Sequence, residues 1–391
     1  VQEAAVRRPG STGLIAAASS WGLFWGGWAA LLPDVKDQIG ATDTEFGLAL
    51  FGIPLGALPA MVLTGPLARR LRARTLPVVL AVFAIACLLP GLARSPWAFA
   101  AALALVGATS GAIEVALNAT TAAHEARDGT RLFNKVHAAT PLAMVLAAPT
   151  VGLARQAGAS PWQVLLVIAV AVALSALLAV DRSGWRSTHE DTAPGGRRTL
   201  TPVLIGFGLI ASVVLFMENA VEQWGAIHLE QGLGAGPLLG SAAPASYMIG
   251  LFAGRLLAQW RGDRYSGLTL VLFGSAFGTA GLALAALTAV ADLPAAVALA
   301  GFAVAGVGLA PAVPTLLGLA GRSADDEHRP NVIATVTTIS YLGFLISPPV
   351  VGAMAGGWGL TTALGVVAAG GVLVAVAAAL IPTPGRAVVT R

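Results

Sequence analysis

Glu114 is the residue with the clearest capacity for chemistry in this chain. It is a carboxyl inside a long apolar stretch, with Asn118 one turn further on and on the same helical face. A charge at the middle of a membrane span costs about 2.5–3.5 kcal/mol on insertion scales, so an ionisable group there needs a reason. A carboxyl that alternates between water and hydrocarbon can take up and release a proton; the alternative is a permanently neutral Glu hydrogen-bonded to Asn118 as helix glue. A second acidic set comprises Glu218, Asn219, Glu222 and Gln223, with the carboxyls spaced i, i+4 at the expected outer end of their span. Such a face can hold a cation, receive protons or gate an outer mouth. Equally, it can be polar because the helix is reaching water, with Trp224 as interfacial anchor. His137, near the inner surface, is placed to pass protons onward from Glu114 or to cap its helix.

Binding groups are sparser. Trp21, Trp25 and Trp28 follow helical spacing beside Phe24, and flat aromatic faces suit sugar rings or organic cations as well as plain packing. With Trp25 and Trp28, the side chains of Asn118, Asn219 and Tyr341 are the candidate substrate contacts. Pro311, Pro314, Pro348 and Pro349 remove backbone donors inside apolar stretches and should kink helices that gate. No Lys or Arg falls deep in a span by charge spacing, so the expected cavity lacks a fixed cation for phosphate or carboxylate. A neutral polyol, sugar or nucleoside, or an organic cation, fits better. The chain has no Gly-x-x-x-x-Gly-Lys-Ser/Thr, His-Glu-x-x-His or Gly-x-Ser-x-Gly string, so neither a cofactor nor enzyme chemistry is expected. The single cysteine, Cys87, rules out an intramolecular disulfide.

These groups must be carried by membrane helices. Of 391 residues, 56% are apolar and 11% charged, against roughly 25% charged in soluble domains, and the mean hydropathy is +0.79. The net charge of +4 does not form a soluble basic patch, so nucleic acid is not an expected partner. A span needs about 20 apolar residues. Charge-free intervals supply ten such stretches, from Pro9–Pro33 to Leu293–Gly321, and a longer one, Pro330–Gly385, that should turn at Gly356-Gly357-Trp358-Gly359. That makes twelve spans. With the N-terminus inside, twenty Lys and Arg fall in inner segments and three, Lys36, Arg94 and Arg155, in outer loops, so both termini are expected in the cytoplasm.

The charged segment 181–200 reads as a linker between two six-span halves, 1–180 and 201–391. Repeated strings support the division: Ala148-Pro149-Thr150-Val151-Gly152 recurs as Pro348-Pro349-Val350-Val351-Gly352, offset by 200. Parallel repeats of this kind build transporters with substrate sites near the midplane.

Over its whole length the chain resembles the major facilitator superfamily. The loop Gly65-Pro66-Leu67-Ala68-Arg69-Arg70-Leu71-Arg72-Ala73-Arg74 is similar to that superfamily's Gly-x-Leu-Ala-Asp-Arg-x-Gly-Arg-Arg signature, with Arg69 in place of Asp and Arg72 in place of the second Gly. Gly111 to Asn118, His137, Glu218-Asn219 and Tyr341-Leu342-Gly343-Phe344 resemble a little-characterised bacterial branch near the fucose-permease-type transporters. The resemblance implies an all-α integral membrane fold of twelve transmembrane helices in two pseudo-symmetric six-helix bundles. It also implies a monomer in the bacterial inner membrane, working as a proton-coupled transporter. On it, spans one and four line the cavity, and Gly65, Arg69 and Arg70 take part in gating. Glu114, Glu218, Glu222 and His137 then serve proton coupling. Ala148 to Gly152 is also a partial likeness to the antiporter signature Gly-Pro-x-x-Gly-Gly, which keeps proton/drug efflux of amphipathic cations as an alternative to uptake of a neutral solute.

Overall fold

In a bilayer no water satisfies exposed backbone groups, so apolar stretches rich in Ala, Leu and Val must close their hydrogen bonds internally. The computed structural model describes residues 11–128, 132–179, 201–261, 264–324 and 328–381, and every regular element among them is helical. The expected linker, 181–200, lies outside the described residues. The first eight helices are α1 (Ser11–Ile39), α2 (Asp43–Leu50), α3 (Gly52–Leu71), α4 (Thr75–Ala86), α5 (Leu89–Leu92), α6 (Pro96–Asp128), α7 (Phe133–Gln156) and α8 (Pro161–Leu178). There follow α9 (Pro202–Ile227), a π turn (His228–Gly232), α10 (Pro237–Arg261), α11 (Gly267–Val290), α12 (Ala295–Leu309), α13 (Ala312–Arg322), α14 (Arg329–Trp358) and α15 (Leu360–Leu380).

Among the described residues, ten stretches are long and apolar enough to cross a bilayer. One of them, Asp43–Leu92, is 50 residues long and holds two crossings, because the chain turns at Arg72, where φ is +51°. The 25-residue α10 brings the total to the twelve that the charge spacing implies. The turn expected at residues 356–359 is present: Gly359 has φ +82°, a conformation glycine adopts without a Cβ clash, and separates α14 from α15.

Several helices run beyond their charge-free intervals. α1 continues through Pro33, Asp34 and Lys36, α9 through Glu218 and Glu222, and α10 through Arg255. A charge ends an interval on paper, but it ends a helix only where no partner or burial geometry accommodates it. Proline behaves unevenly. The tenth crossing breaks between α12 and α13 at Pro311, and Pro314 sits in the tolerated first turn of α13. Helix α14 runs as one element through Pro348 and Pro349.

Two compact units divide the chain. The first comprises Val1–Thr192, Gln223–Ala245 and Pro348–Gly356. In it α1 packs against α6, α7 and α8, so closely at Gly26 that a Cβ there would overlap the Met144 carbonyl oxygen. An aromatic run forms its core. Trp28 stacks between Phe24 (6.0 Å) and Phe99 (5.8 Å), Phe99 stacks on Phe46 (5.6 Å), and Phe46 meets Trp224 edge-on (5.8 Å). Cys87 is buried there too. The second unit comprises Ala193–Glu222, Ser246–Ser347 and Gly357–Arg391. Its α11 packs on α12, α13 and α15, and Ser347 Oγ donates to the Phe216 carbonyl at 2.9 Å, joining α14 to α9.

Candidate functional site

Trp21 and Trp25 lie one turn apart on α1, both half-buried, and face α6. Both indole N–H groups donate to the same acceptor, Ser110 Oγ, at 2.8 and 3.3 Å. Glu114 follows Ser110 by one turn and Asn118 follows Glu114 by another, so the three share a face of α6. Glu114 and Asn118 are half-buried. Among the described residues no hydrogen bond or ion pair engages the Glu114 carboxyl, so the reading of a Glu locked to Asn118 as helix glue does not describe this geometry.

Trp28 belongs to the core and not to this face. It is 1% exposed, with its ring stacked between Phe24 and Phe99. The structure therefore separates the aromatic stripe into two half-exposed indoles and one packed one. Ser110 is the residue that sequence reasoning missed here; its position one turn before Glu114 was the available signal.

Glu218 and Glu222 fall inside α9 rather than at its outer end, which corrects the expected placement. Asn219 is 3% exposed and its Oδ1 has no hydrogen-bond partner. Trp224 is fully buried, so it is not an interfacial anchor. Tyr247 of α10, which sequence reasoning did not single out, is fully buried with an unpartnered hydroxyl, and its charge neighbours are Glu218, Glu222 and Arg255. Arg255 lies within α10 and acts electrostatically on Glu218.

Arg155, expected in an outer loop, is instead the last turn of α7, with its side chain only 1% exposed. All five of its N–H donors are engaged. Nε donates to Asp34 Oδ2 at 2.7 Å, and Nη2 reaches Asp34 Oδ1 and, at 2.8 Å, Glu230 Oε2. Nη1 donates to Glu230 Oε1 at 2.7 Å and to the Ala30 carbonyl at 2.6 Å. Beside this knot Lys36 pairs with Asp43 and donates to Gln231 Oε1 at 2.7 Å, and Gln231 Nε2 donates to Asp37 at 3.1 Å. Gly47 of α2 seals the same region, since a Cβ on it would lie 2.5 Å from the Pro348 carbonyl oxygen and 2.7 Å from Gly352 Cα. Arg155 thus sits buried in the last turn of its helix rather than in a loop, while Arg255 is exposed towards the end of α10. Arg155 is held by two carboxylates of the chain itself, those of Asp34 and Glu230.

The sequence profile of the Major Facilitator Superfamily matches residues 13–300 and 207–390. The chain belongs to this superfamily. It is 30% identical over 357 residues to an uncharacterized MFS-type transporter of Yersinia pestis, covering 89% of each chain. Among solved structures it is similar to the nucleoside transporter NupG, with a TM-score of 0.77 at 13% identity over 94% of this chain and 98% of that one. It is likewise similar to a D-xylose-proton symporter, with a TM-score of 0.74 at 14% identity over 94% and 96%. At these identities the solved structures establish the fold, and the superfamily establishes a multi-pass membrane transporter of a small-molecule substrate.

The superfamily's signature loop occupies the end of α3 and the turn at Arg72, with Arg69 and Arg70 exposed in the last helical turn and open space around Gly65. His137 is exposed one turn into α7, and its ring stacks on Phe133 at 4.9 Å. Tyr341 of α14 is 39% exposed and tilts against Phe344 at 6.4 Å.

Proposed function

We propose that this transporter is a proton-coupled secondary carrier of a small neutral polar solute, sugar-like or nucleoside-like, working by alternating access between the halves 1–180 and 201–391. The observation that carries the reading is Glu114. It is a half-buried carboxyl deep in α6, without a protein partner, one turn from the hydroxyl that gathers Trp21 and Trp25. A partnerless carboxyl is free to exchange its proton, whereas a paired one is committed to its partner. A neutral solute fits Arg155, because all of its donors are taken by the protein itself.

Glu218 and Glu222 are the second proton-handling pair in this reading, with His137 as an exit relay at the inner surface. Trp25, Asn118 and Asn219 contact the solute. Gating falls to Gly65, Arg69, Arg70 and the prolines at 311, 314, 348 and 349. The nucleoside and xylose-proton carriers with this fold support the solute class and the coupling ion. In this reading the Arg155 knot, which joins Asp34 to Glu230, closes the outer side, and its opening is one step of the cycle. The excess of Lys and Arg in inner segments supports both termini in the cytoplasm; in this reading the protein is a monomer of the bacterial inner membrane with no nucleic-acid partner.

The test is uptake of labelled uridine and D-xylose into proteoliposomes under an imposed proton gradient, with Glu114→Gln alongside. The variant is expected to lose gradient-driven accumulation while keeping solute exchange. Accumulation equal to the parent would remove Glu114 from the mechanism.

A further inference from the structure

Hydroxyls inside these helices mostly donate to a carbonyl one turn back, as Thr109 does to Leu105 (2.8 Å) and Val106 (3.1 Å), and as Thr120, Thr150, Thr279 and Thr335 do. That habit satisfies the hydroxyl within its own helix. Ser110, the next residue after Thr109, departs from it. Among the described residues its O–H donates to nothing, while its Oγ accepts the indole N–H groups of both Trp21 and Trp25. A serine hydroxyl has two acceptor lone pairs, so both are occupied and only its proton remains to be given.

The consequence falls on the tryptophans. An indole has one hydrogen-bond donor and no acceptor. With both donors tied to Ser110, the half-exposed parts of Trp21 and Trp25 offer ring surface and nothing polar. Phe24 braces Trp25 from the side, with ring centroids 5.3 Å apart and planes at 78°. Polar pairing on this face is left to the Glu114 carboxyl, the Asn118 amide and the Ser110 proton.

We infer that Ser110 is a positioning and specificity-determining residue: by capping both indoles it makes Trp21 and Trp25 a stacking platform that selects solutes presenting a ring face over open-chain solutes of equal hydroxyl content. This rests on the transport reading above and narrows its solute class. Stacking on indole is provided by a nucleobase face or by the C–H face of a sugar ring, and the probes separate the two sources.

The experiment measures binding of four probes to the full-length protein in detergent: adenosine, ribose, D-xylose and its open-chain counterpart xylitol. The parent should bind at least one ring probe over xylitol by about tenfold or more; adenosine over ribose would identify the base as the stacking group, and D-xylose over xylitol the sugar ring. Ser110→Ala should cut that preference by about tenfold, because freed indoles lose their orientation. Ser110→Thr, which keeps the hydroxyl, should restore it. A readout independent of ligand is the hydrogen-bond-sensitive indole band in ultraviolet resonance Raman, where Ser110→Ala should shift the contribution of two of the nine tryptophans and Ser110→Thr should not.

Equal binding of xylitol and xylose together with equal binding of adenosine and ribose, or no ring probe bound by the parent, overturns the platform. So does a preference unchanged in Ser110→Ala. A ring preference that depends on Ser110, in a protein whose Glu114→Gln variant still accumulates solute, would leave the platform standing and overturn the coupling.

Discussion

Two polar regions of the first unit treat their hydrogen bonds in opposite ways. At the end of α7 every donor of Arg155 is spent on protein acceptors, and the neighbouring lysine and glutamine are paired as well. On the α1–α6 face the Glu114 carboxyl and the Ser110 proton have no protein partner. Buried polar groups are normally satisfied, so the first region reads as closure and the second as a place kept for a visitor. Saturation and vacancy thus set the two regions apart, with closure proposed for the first and solute and proton handling for the second, a distinction residue type alone does not make.

The comparison can be broken by substitution, with unfolding free energy in bicelles as the common scale. The largest effect is expected from Trp28→Ala, because its ring fills a fully packed aromatic stack; a loss of about 3–5 kcal/mol is expected. Trp25→Ala, on the half-exposed face, should fall well below it. Next is Arg155→Met, which leaves Asp34 and Glu230 facing each other without their cation and should remove about 3 kcal/mol. Glu230→Gln keeps an acceptor but gives up its charge, so a smaller loss of about 1–2 kcal/mol follows. It should also raise labelling of outer sites by water-soluble reagents if the knot holds the outer side closed.

The smallest effect on stability belongs to Glu114→Gln, within about 0.5 kcal/mol of the parent, since no partner is lost. The same variant should show the largest functional deficit of the series. If it unfolded as readily as Arg155→Met, the contrast between the two regions would collapse.

The helical membrane fold was legible because bilayer length and backbone satisfaction leave few choices, and the turn at Gly359 was legible because glycine clusters punctuate apolar runs. Glu114 stood out for the same reason, as a charge in hydrocarbon. Arg155 did not, because charge spacing assigns any charged residue to a loop, while its burial depends on Asp34 and Glu230, which are 121 and 75 residues away along the chain. Ser110 was hidden by its ordinariness: a hydroxyl in a small-residue string signals packing until the acceptors and donors around it are counted. The same limit explains Trp28, which shares its spacing with Trp25 and differs only in which neighbours close over it.

Cys87 has a consequence of another kind. As the chain's one thiol, buried at 0% exposure, it leaves the native surface silent to maleimides. Any cysteine introduced on either side of the membrane therefore reports alone, and the opening of each face can be followed without first rebuilding the protein.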